Sequence, residues 1–526
     1  MLKHDQQKSV HKPDATYLMS VAIYAMMMGM FDATSLMGIS TTTALIFVSV
    51  FLLVFWILRR HLSTRNLPPG PWAWPLLGNL PNLIAAGGGE AHEIFLRLSK
   101  KYGPVLRLDM VGGKRIIVLH GYEAISKAFS NPLLNDRPVS PISQSPGIGV
   151  ITASGQGWKT QRNLVLRFMR DFSIGKSGFE GSIAQEVNTL IQEFKKTKGK
   201  PVKQEYLFCN ALANIICSVV YGTRYDYNDP KFKELLHHTI RIFELLGSGG
   251  VLFFMPFVNV IARFIPSLRE IIQHSKQYNI FVDEALLWHQ ADFDPHSAPT
   301  DFLYLCLNSK YWTQNKNLGM GHMMTTSGDL FFAGTETTAS TLRWSLLYMM
   351  ANPEIQARVQ AEIDSVVGRD RLPQMSDKPN LPYTEATILE VQRISMILSL
   401  GVPHKAAEDT TLMGYTIPKG AILLPNFWAL GRDPEVWHEP HLFKPERFLD
   451  KDGCVTRKDE FVPFSAGRRM CLGEPLAKME LFLFFTGLLH QFTFQRPDGA
   501  PPISFKSTAG FTFAPVPYEF CAIVRT

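Results

Sequence analysis

Hydrophobic positions are arranged differently in different parts of the chain. From Ala33 to Leu58 no charged residue occurs, and the part from Thr43, TALIFVSVFLLVFWIL, is almost entirely apolar. A helix needs about 20 such residues to cross a bilayer core, so a transmembrane helix is expected at about 41–58. Arg59, Arg60 and His61 follow at once, and basic residues beside a span stay on the cytosolic side. A cleaved signal peptide is the alternative, but the run is too long and too far from Met1 for a typical one. Ala15–Phe31 is a second uncharged apolar stretch, preceded by Lys3, Lys8 and Lys12 and closed by Asp32. As a second apolar helix it could form a two-pass hairpin or lie in the interface.

After this region the pattern changes. Leu67-Pro68-Pro69-Gly70-Pro71 cannot be a helix or an ordinary strand, because proline fixes φ, lacks a donor and restricts its predecessor. It reads as a stiff elbow between an anchor region, 1–66, and a body, 67–526. The spacing then predicts a helix over 91–102 and a β-hairpin over Val105–Leu119 turning at Gly112-Gly113. From about 180 to 370 apolar residues recur with helical spacing, including a run from Leu330 to Met350. A strand-like stretch follows at Thr410–Leu424, and an apolar helix at Leu476–Leu489. The expected fold class is mainly α with small β-sheets.

Composition narrows the field. A hydrophobic fraction of 46% with 19% charged residues describes an ordered protein with a large core. A net charge of +7 suits an acidic partner or an anionic membrane surface and is too weak to argue for nucleic acid. The six cysteines are scattered, with no C-x-x-C pair, against a zinc ribbon or a disulfide scaffold and for a reducing compartment.

The strongest chemical pattern is Phe464-Ser-Ala-Gly467-Arg-Arg469-Met-Cys471-Leu-Gly473. A cysteine bound to haem iron must approach a flat macrocycle closely, which calls for small neighbours. Gly467 and Gly473 supply room and permit unusual φ. Arg469 can pair with a haem propionate, and backbone N–H groups at the start of the following helix would stabilise a thiolate. A lone cysteine would be read as an inert buried thiol; the complete F-x-x-G-x-R-x-C-x-G pattern is not.

These residues resemble the cytochrome P-450 superfamily, and the resemblance covers Pro68 to Thr526. It implies a cytochrome P-450 fold behind an N-terminal transmembrane anchor. Ala333-Gly334-Thr335-Glu336-Thr337-Thr338 is similar to the family's oxygen-side helix segment, where Glu336 and Thr337 would form a proton-delivery pair. Trp158-Lys-Thr-Gln-Arg162 resembles the helix whose Trp and Arg contact a propionate, and Arg137 and His404 match two further propionate partners. Glu390, Arg393 and Arg447 resemble the family's buried structural ion network. Within the superfamily the chain is similar to the animal microsomal branch that oxidises drugs, steroids and fatty acids, above all to its long-chain fatty-acid hydroxylases.

The resemblance implies haem b (iron protoporphyrin IX) with Cys471 as axial iron ligand, dioxygen and a lipophilic substrate. It also implies an endoplasmic reticulum location with the catalytic domain facing the cytosol. No G-x-G-x-x-G fingerprint is visible, so electrons must come from another protein; the resemblance implies NADPH–cytochrome P-450 reductase and admits cytochrome b5 as a second donor. Lys159, Arg167, Arg170, Arg468 and Lys478 could form the basic docking face. Gly249–Phe257 is apolar enough to dip into lipid or to pack in the core; loop 138–150, Leu398–Val402 and Gly510-Phe511 should line the pocket. Two other functions compete: a reductase-independent haem-thiolate isomerase or dehydratase, and a non-catalytic haem sensor.

Overall fold

The computed structural model describes residues 66–139, 147–174, 178–204, 206–248, 264–308, 319–508 and 510–525, with a few positions between 42 and 54. Most of the expected spanning stretch at 41–58, all of 15–31 and the apolar segment 249–257 lie outside the described residues. Residues 46–51 are helical, and Ile46, Phe47, Val50 and Phe51 are exposed. Among the described residues no helix is long and apolar enough to cross a membrane. Pro68–Thr526 is a compact unit of its own.

Among the described residues of that unit the helices of ten or more residues are α1 (Ala91–Tyr102), α2 (Gly121–Ser130), α3 (Gly155–Ile174), α4 (Phe179–Lys196), α5 (Leu207–Tyr221) and α6 (Pro230–Ser248). They continue with α7 (Pro266–Ala291), α8 (Met320–Ala351), α9 (Pro353–Val367), α10 (Pro382–Ser395) and α11 (Glu474–Gln491). Strands are short: β1 (Val105–Asp109), β2 (Arg115–Leu119), β3 (Val202–Lys203), β4 (His404–Lys405), β5 (Thr410–Leu412), β6 (Tyr415–Ile417), β7 (Ile422–Pro425), β8 (Phe492–Gln495) and β9 (Glu519–Val524).

The expected hairpin is present. Val105 pairs with Leu119 and Asp109 with Arg115, and the turn uses Gly112 and Gly113 at φ 74° and 75°. β2 then runs parallel to β7, and β4 completes a four-stranded sheet in the order β1-β2-β7-β4. The strand-like stretch after Thr410 divides between the β5–β6 hairpin and β7.

The main core forms where α5, α8 and α11 meet. Nearly every side chain of α5 is buried, as expected of a helix apolar on all faces. Gly222 ends it in the left-handed conformation, its N–H donating to the Cys217 carbonyl. Leu481 to Phe485, Leu488 and Leu489 of α11 join the same cluster, each fully buried Leu or Phe contributing about 1.5–3 kcal/mol.

The Glu390, Arg393 and Arg447 network is assembled as the resemblance implied. Arg393 Nε and Nη2 donate to the two Glu390 oxygens at 2.7 and 2.8 Å, and Arg447 Nε reaches Glu390 at 3.3 Å. Arg393 Nη1 also donates to the carbonyls of Gly431 and Pro440. With the fork satisfied on both sides, the network pins α10 to the segment that leads to the cysteine loop.

Candidate active site

The loop before α11 is closed by the Cys471 N–H, which donates to the Phe464 carbonyl at 2.9 Å. Ser465 and Gly467 have φ of 68° and 70°, and Gly467–Arg469 forms one 3₁₀ turn. A Cβ on Gly467 would lie 2.5 Å from the Phe129 carbonyl oxygen, so glycine is what lets the loop lie against α2. Gly473 corrects the expectation of unusual backbone there. Its φ is −88°, and it serves as the N-cap of α11, its carbonyl accepting from Ala477 N at 2.9 Å. A Cβ there would come 4.0 Å from Cys471 Sγ. The second strained position is Ser465, where no glycine signalled it.

Cys471 therefore sits just ahead of an 18-residue helix. Burial raises its thiol pKa. The N–H of Gly473 lowers it, the Glu474 carboxylate raises it, and Arg162 and the N–H of Glu474 lower it again. The residue opens onto a cavity of about 1110 Å³, whose lining includes Phe464, Ala333, Thr337 and the segment Leu398–Val402. Gly510 and Phe511 also line it, as expected, and Phe511 N–H donates to the Phe243 carbonyl at 2.9 Å.

One wall of the cavity is cationic. Arg469 donates through Nε to Asn135 O at 2.9 Å and through Nη2 to Ala153 O at 2.6 Å, and lies 3.8 Å over the Trp158 ring. Arg137 Nη1 donates to the carbonyls of Val402 and Pro403, both at 2.8 Å, and Arg162 Nη2 to Met470 O at 2.7 Å. Burial lowers the pKa of all three guanidiniums, and repulsion from Arg469 and Arg162 lowers Arg137 further. Three buried donors on this wall have no partner: Arg469 Nη1, Arg137 Nε and Trp158 Nε1.

An unmade buried hydrogen bond costs about 1–3 kcal/mol, more beside a charge. Unspent donors on two of three crowded cations, and on the indole beneath one of them, call for an anionic acceptor. The residues present therefore fit haem, with a thiol at hand for the iron and a cationic wall for two propionates.

His404 is buried, stacked on Phe129 with centroids 4.1 Å apart, and its Nδ1 lies 3.0 Å from Leu134 O. A carbonyl only accepts, so Nδ1 carries the proton. Burial and then Arg137 push the pKa down to about 2, leaving Nε2 as a lone pair. The ring lines the cavity, and with Nδ1 engaged by Leu134 O it would donate to a carboxylate only through a protonated Nε2.

Glu336 and Thr337 do not form a pair facing the cavity. Neighbours on a helix diverge by about 100°, and only Thr337 lines the cavity. Its Oγ1 donates to Ala333 O at 2.8 Å. Glu336 points instead into a buried cluster, ion-paired with Arg343 and accepting from Ser340 Oγ at 2.8 Å and Cys209 Sγ at 3.3 Å. Gly334 is needed for packing, since a Cβ there would lie 2.6 Å from Ile216 Cδ1 of α5.

Four cavity-lining carboxyls, Glu90, Asp283, Asp329 and Glu480, were not found from sequence. Asp329 of α8 accepts from Val150 N at 2.7 Å and Ile151 N at 2.9 Å, and burial raises its pKa to about 7. Glu480 of α11 accepts from Thr338 Oγ1 at 3.0 Å. An acid in an otherwise apolar helix was the available signal for Glu480; for Asp329 there was none.

A thiol at a helix start that opens onto a large cavity, beside a cationic wall with unspent donors, fits the class of haem-thiolate enzymes. The comparisons agree. The family model "Cytochrome P450" matches residues 68–522. The chain is 39% identical to cytochrome P450 2J1 of Oryctolagus cuniculus over 496 residues, 93% of this chain and 97% of the relative. It is 37% identical to cytochrome P450 2J2 of Homo sapiens (91% and 96% covered) and 35% identical to cytochrome P450 2U1 of Bos taurus (91% and 93%). The chain belongs to the cytochrome P-450 family, in its animal microsomal branch, and is a monooxygenase that uses haem, dioxygen, a substrate and a redox partner.

Proposed function

We propose that this protein is a membrane-anchored haem-thiolate monooxygenase that inserts one oxygen atom into a lipophilic organic substrate, a long-chain fatty acid before a steroid or xenobiotic. Cys471 is the axial ligand of haem b. The observation that carries this reading is the cavity shared by Cys471 and three guanidiniums, with donors unspent on Arg469, Arg137 and Trp158. When bound, haem supplies dioxygen activation with two electrons, and a thiolate ligand favours O–O cleavage.

The chain's own residues supply the rest. The N–H groups of Gly473 and Glu474 hold negative charge on Cys471 Sγ. Arg469, Arg137, Arg162 and Trp158 hold the propionates, while Phe464 and Gly467 shape the loop. Thr337 offers a hydroxyl that can leave Ala333 O to hold a proton-bearing water in the cavity. Glu336 remains the partner of Arg343.

The mostly apolar lining suits a lipophilic chain. Apart from the three arginines, Lys114 is the only Lys or Arg among the described lining residues, and it is exposed on the β1–β2 turn, where it can meet a carboxylate at the rim. Electrons come from NADPH through cytochrome P-450 reductase, with cytochrome b5 as a second donor. Exposed Lys159, Arg167 and Arg468 support a basic docking face, whereas Arg170 pairs with Asp171 at 3.2 Å and Lys478 is engaged by Glu474 at 2.5 Å. The anchor at 41–58 would hold the protein in the endoplasmic reticulum membrane with the catalytic domain in the cytosol.

The test begins with dithionite and carbon monoxide. Wild type is expected to give the strongly red-shifted Soret band of thiolate-bound haem, and Cys471→His to lose it; the same histidine-like spectrum from both would remove Cys471 as ligand. Long-chain fatty acids with NADPH and reductase should then yield hydroxylated product. Product only from a fatty-acid hydroperoxide, without NADPH, would make the protein an isomerase or dehydratase. Ligand-dependent spectra with no product under either supply would make it a sensor.

A further inference from the structure

Helices α6 and α7 meet at a cluster of three histidines remote from Cys471 in sequence. His237 and His238 lie on α6, and His274 on α7. One ring nitrogen from each can be chosen so that all three lie within 4.8 Å of one another. The ring centroids form a near-regular triangle of 5.6, 5.5 and 5.0 Å, with the ring planes inclined at 60°, 64° and 56°. With metal–nitrogen bonds of about 2.0–2.1 Å, three imidazoles on a tetrahedral ion have centroids about 5.2 Å apart. We propose that His237, His238 and His274 form a binding site for a divalent transition-metal ion of the zinc class, which ties α6 to α7.

The surroundings suit a cation. His238 Nδ1 and His274 Nδ1 lie 2.7 Å apart, so without metal one must donate a proton to the other. A metal needs both Nδ1 lone pairs and moves the proton to Nε2. His238 Nε2 faces the Glu234 carboxylate at 3.6 Å, an acceptor for that proton, and such a partner orients a ligating imidazole and raises its basicity. Glu270 also lies near His274 and pairs at 2.9 Å with Arg241, whose charge opposes a cation here.

The site also touches the catalytic cavity indirectly. Phe243 and Leu246 of α6, and Tyr278 and Val282 of α7, line that cavity, so an ion joining the two helices stiffens its wall.

The full-length, haem-loaded protein, carrying no polyhistidine tag, is stripped with chelator and dialysed to equilibrium against low micromolar zinc(II). Wild type is expected to hold one zinc per chain more than His274→Ala or the exposed-site variant His237→Ala, all compared at equal haem content. Glu234→Gln should weaken the zinc affinity about tenfold or more. Zinc should slow amide hydrogen exchange across 230–248 and 266–291 in wild type and not in His274→Ala. Equal zinc content in wild type and both histidine variants would overturn the proposal and leave a hydrogen-bonded histidine cluster. Retention of the extra zinc without slowed exchange would overturn the link between the helices.

Discussion

Replacing Glu480 by glutamine should stabilise this protein by an amount that grows with pH. Glu480 is buried in α11; Thr338 Oγ1 donates to its Oε2, and its Oε1 has no partner. Burial pushes the carboxyl pKa from 4.5 up to about 8, opposed by the smaller effect of the Thr338 bond. In the unfolded chain the group ionises near its ordinary value, whereas the native state must keep the proton. Its contribution to stability is therefore fully present below pH 4.5 and is lost as pH rises to about 8. A tenfold change in proton affinity is worth about 1.4 kcal/mol. The loss is then about 2 kcal/mol between pH 6 and 8, and up to about 5 kcal/mol over the whole window. Glutamine keeps an acceptor for Thr338 and cannot ionise; its amide adds a cost that does not vary with pH. Urea unfolding of haem-loaded wild type and Glu480→Gln, followed by circular dichroism from pH 5 to pH 9, should show the difference moving in the variant's favour by about 1.4 kcal/mol per pH unit and levelling above pH 8. A difference constant across the range would refute the reasoning, because it would mean that Glu480 titrates alike in the folded and unfolded states.

Four further outcomes follow from the same geometry. Arg343→Leu strands the buried Glu336 carboxylate and should cost about 3–5 kcal/mol in urea unfolding, most of it recovered by adding Glu336→Leu. Arg469→Leu removes one unspent donor from the cationic wall; haem transfer to apomyoglobin should be about 10- to 100-fold faster while the thiolate band persists, and an unchanged rate would count against the propionate role. Gly467→Ala forces a Cβ onto the Phe129 carbonyl at a positive φ, costing at least about 1–3 kcal/mol and lowering the yield of the thiolate form on reduction with carbon monoxide. Lys114→Glu should raise KM for a long-chain fatty acid about fivefold with kcat little changed, and equal KM values would remove Lys114 as carboxylate partner.

Local pattern accounts for much of what was legible in advance. The Gly112-Gly113 turn, the helix at 91–102 and α11 behind the cysteine loop are each specified by residues adjacent in the chain. The convergence of Arg137, Trp158, Arg162 and Arg469 was legible only through the family resemblance, since these side chains come from three separate segments. What escaped depends on facts that one segment cannot carry. Whether Glu336 faces the cavity is decided by Arg343, two turns further along α8, and by Cys209 on α5. Whether His404 can donate is decided by the Leu134 carbonyl, and Asp329 matters because it meets the backbone of Val150 and Ile151. A helical period shows that a residue is on some face, and only the packed neighbour says which charge or carbonyl that face meets.

Three of the carboxyl groups near the cavity share one electrostatic logic. Glu480 keeps its proton to about pH 8 and Asp329 to about pH 7, while Glu336 is turned into its own ion pair with Arg343. Near neutral pH none of the three presents a full, unpaired negative charge to the lining of α8 and α11. Positive charge is gathered instead at the wall of Arg137, Arg162 and Arg469, where a dianionic cofactor can neutralise it. Charge is thus sorted by position, cationic where haem propionates would dock and close to neutral above the thiol, with Lys114 exposed at the rim. Because an uncompensated charge in a buried site costs several kcal/mol, a molecule that fills the middle of this cavity must be uncharged there, and any carboxylate it carries must stay at the edge. That division favours a long apolar chain with a single terminal anion over a compact polar substrate, and it arises from the placement of acids and bases before any specific contact with substrate is made.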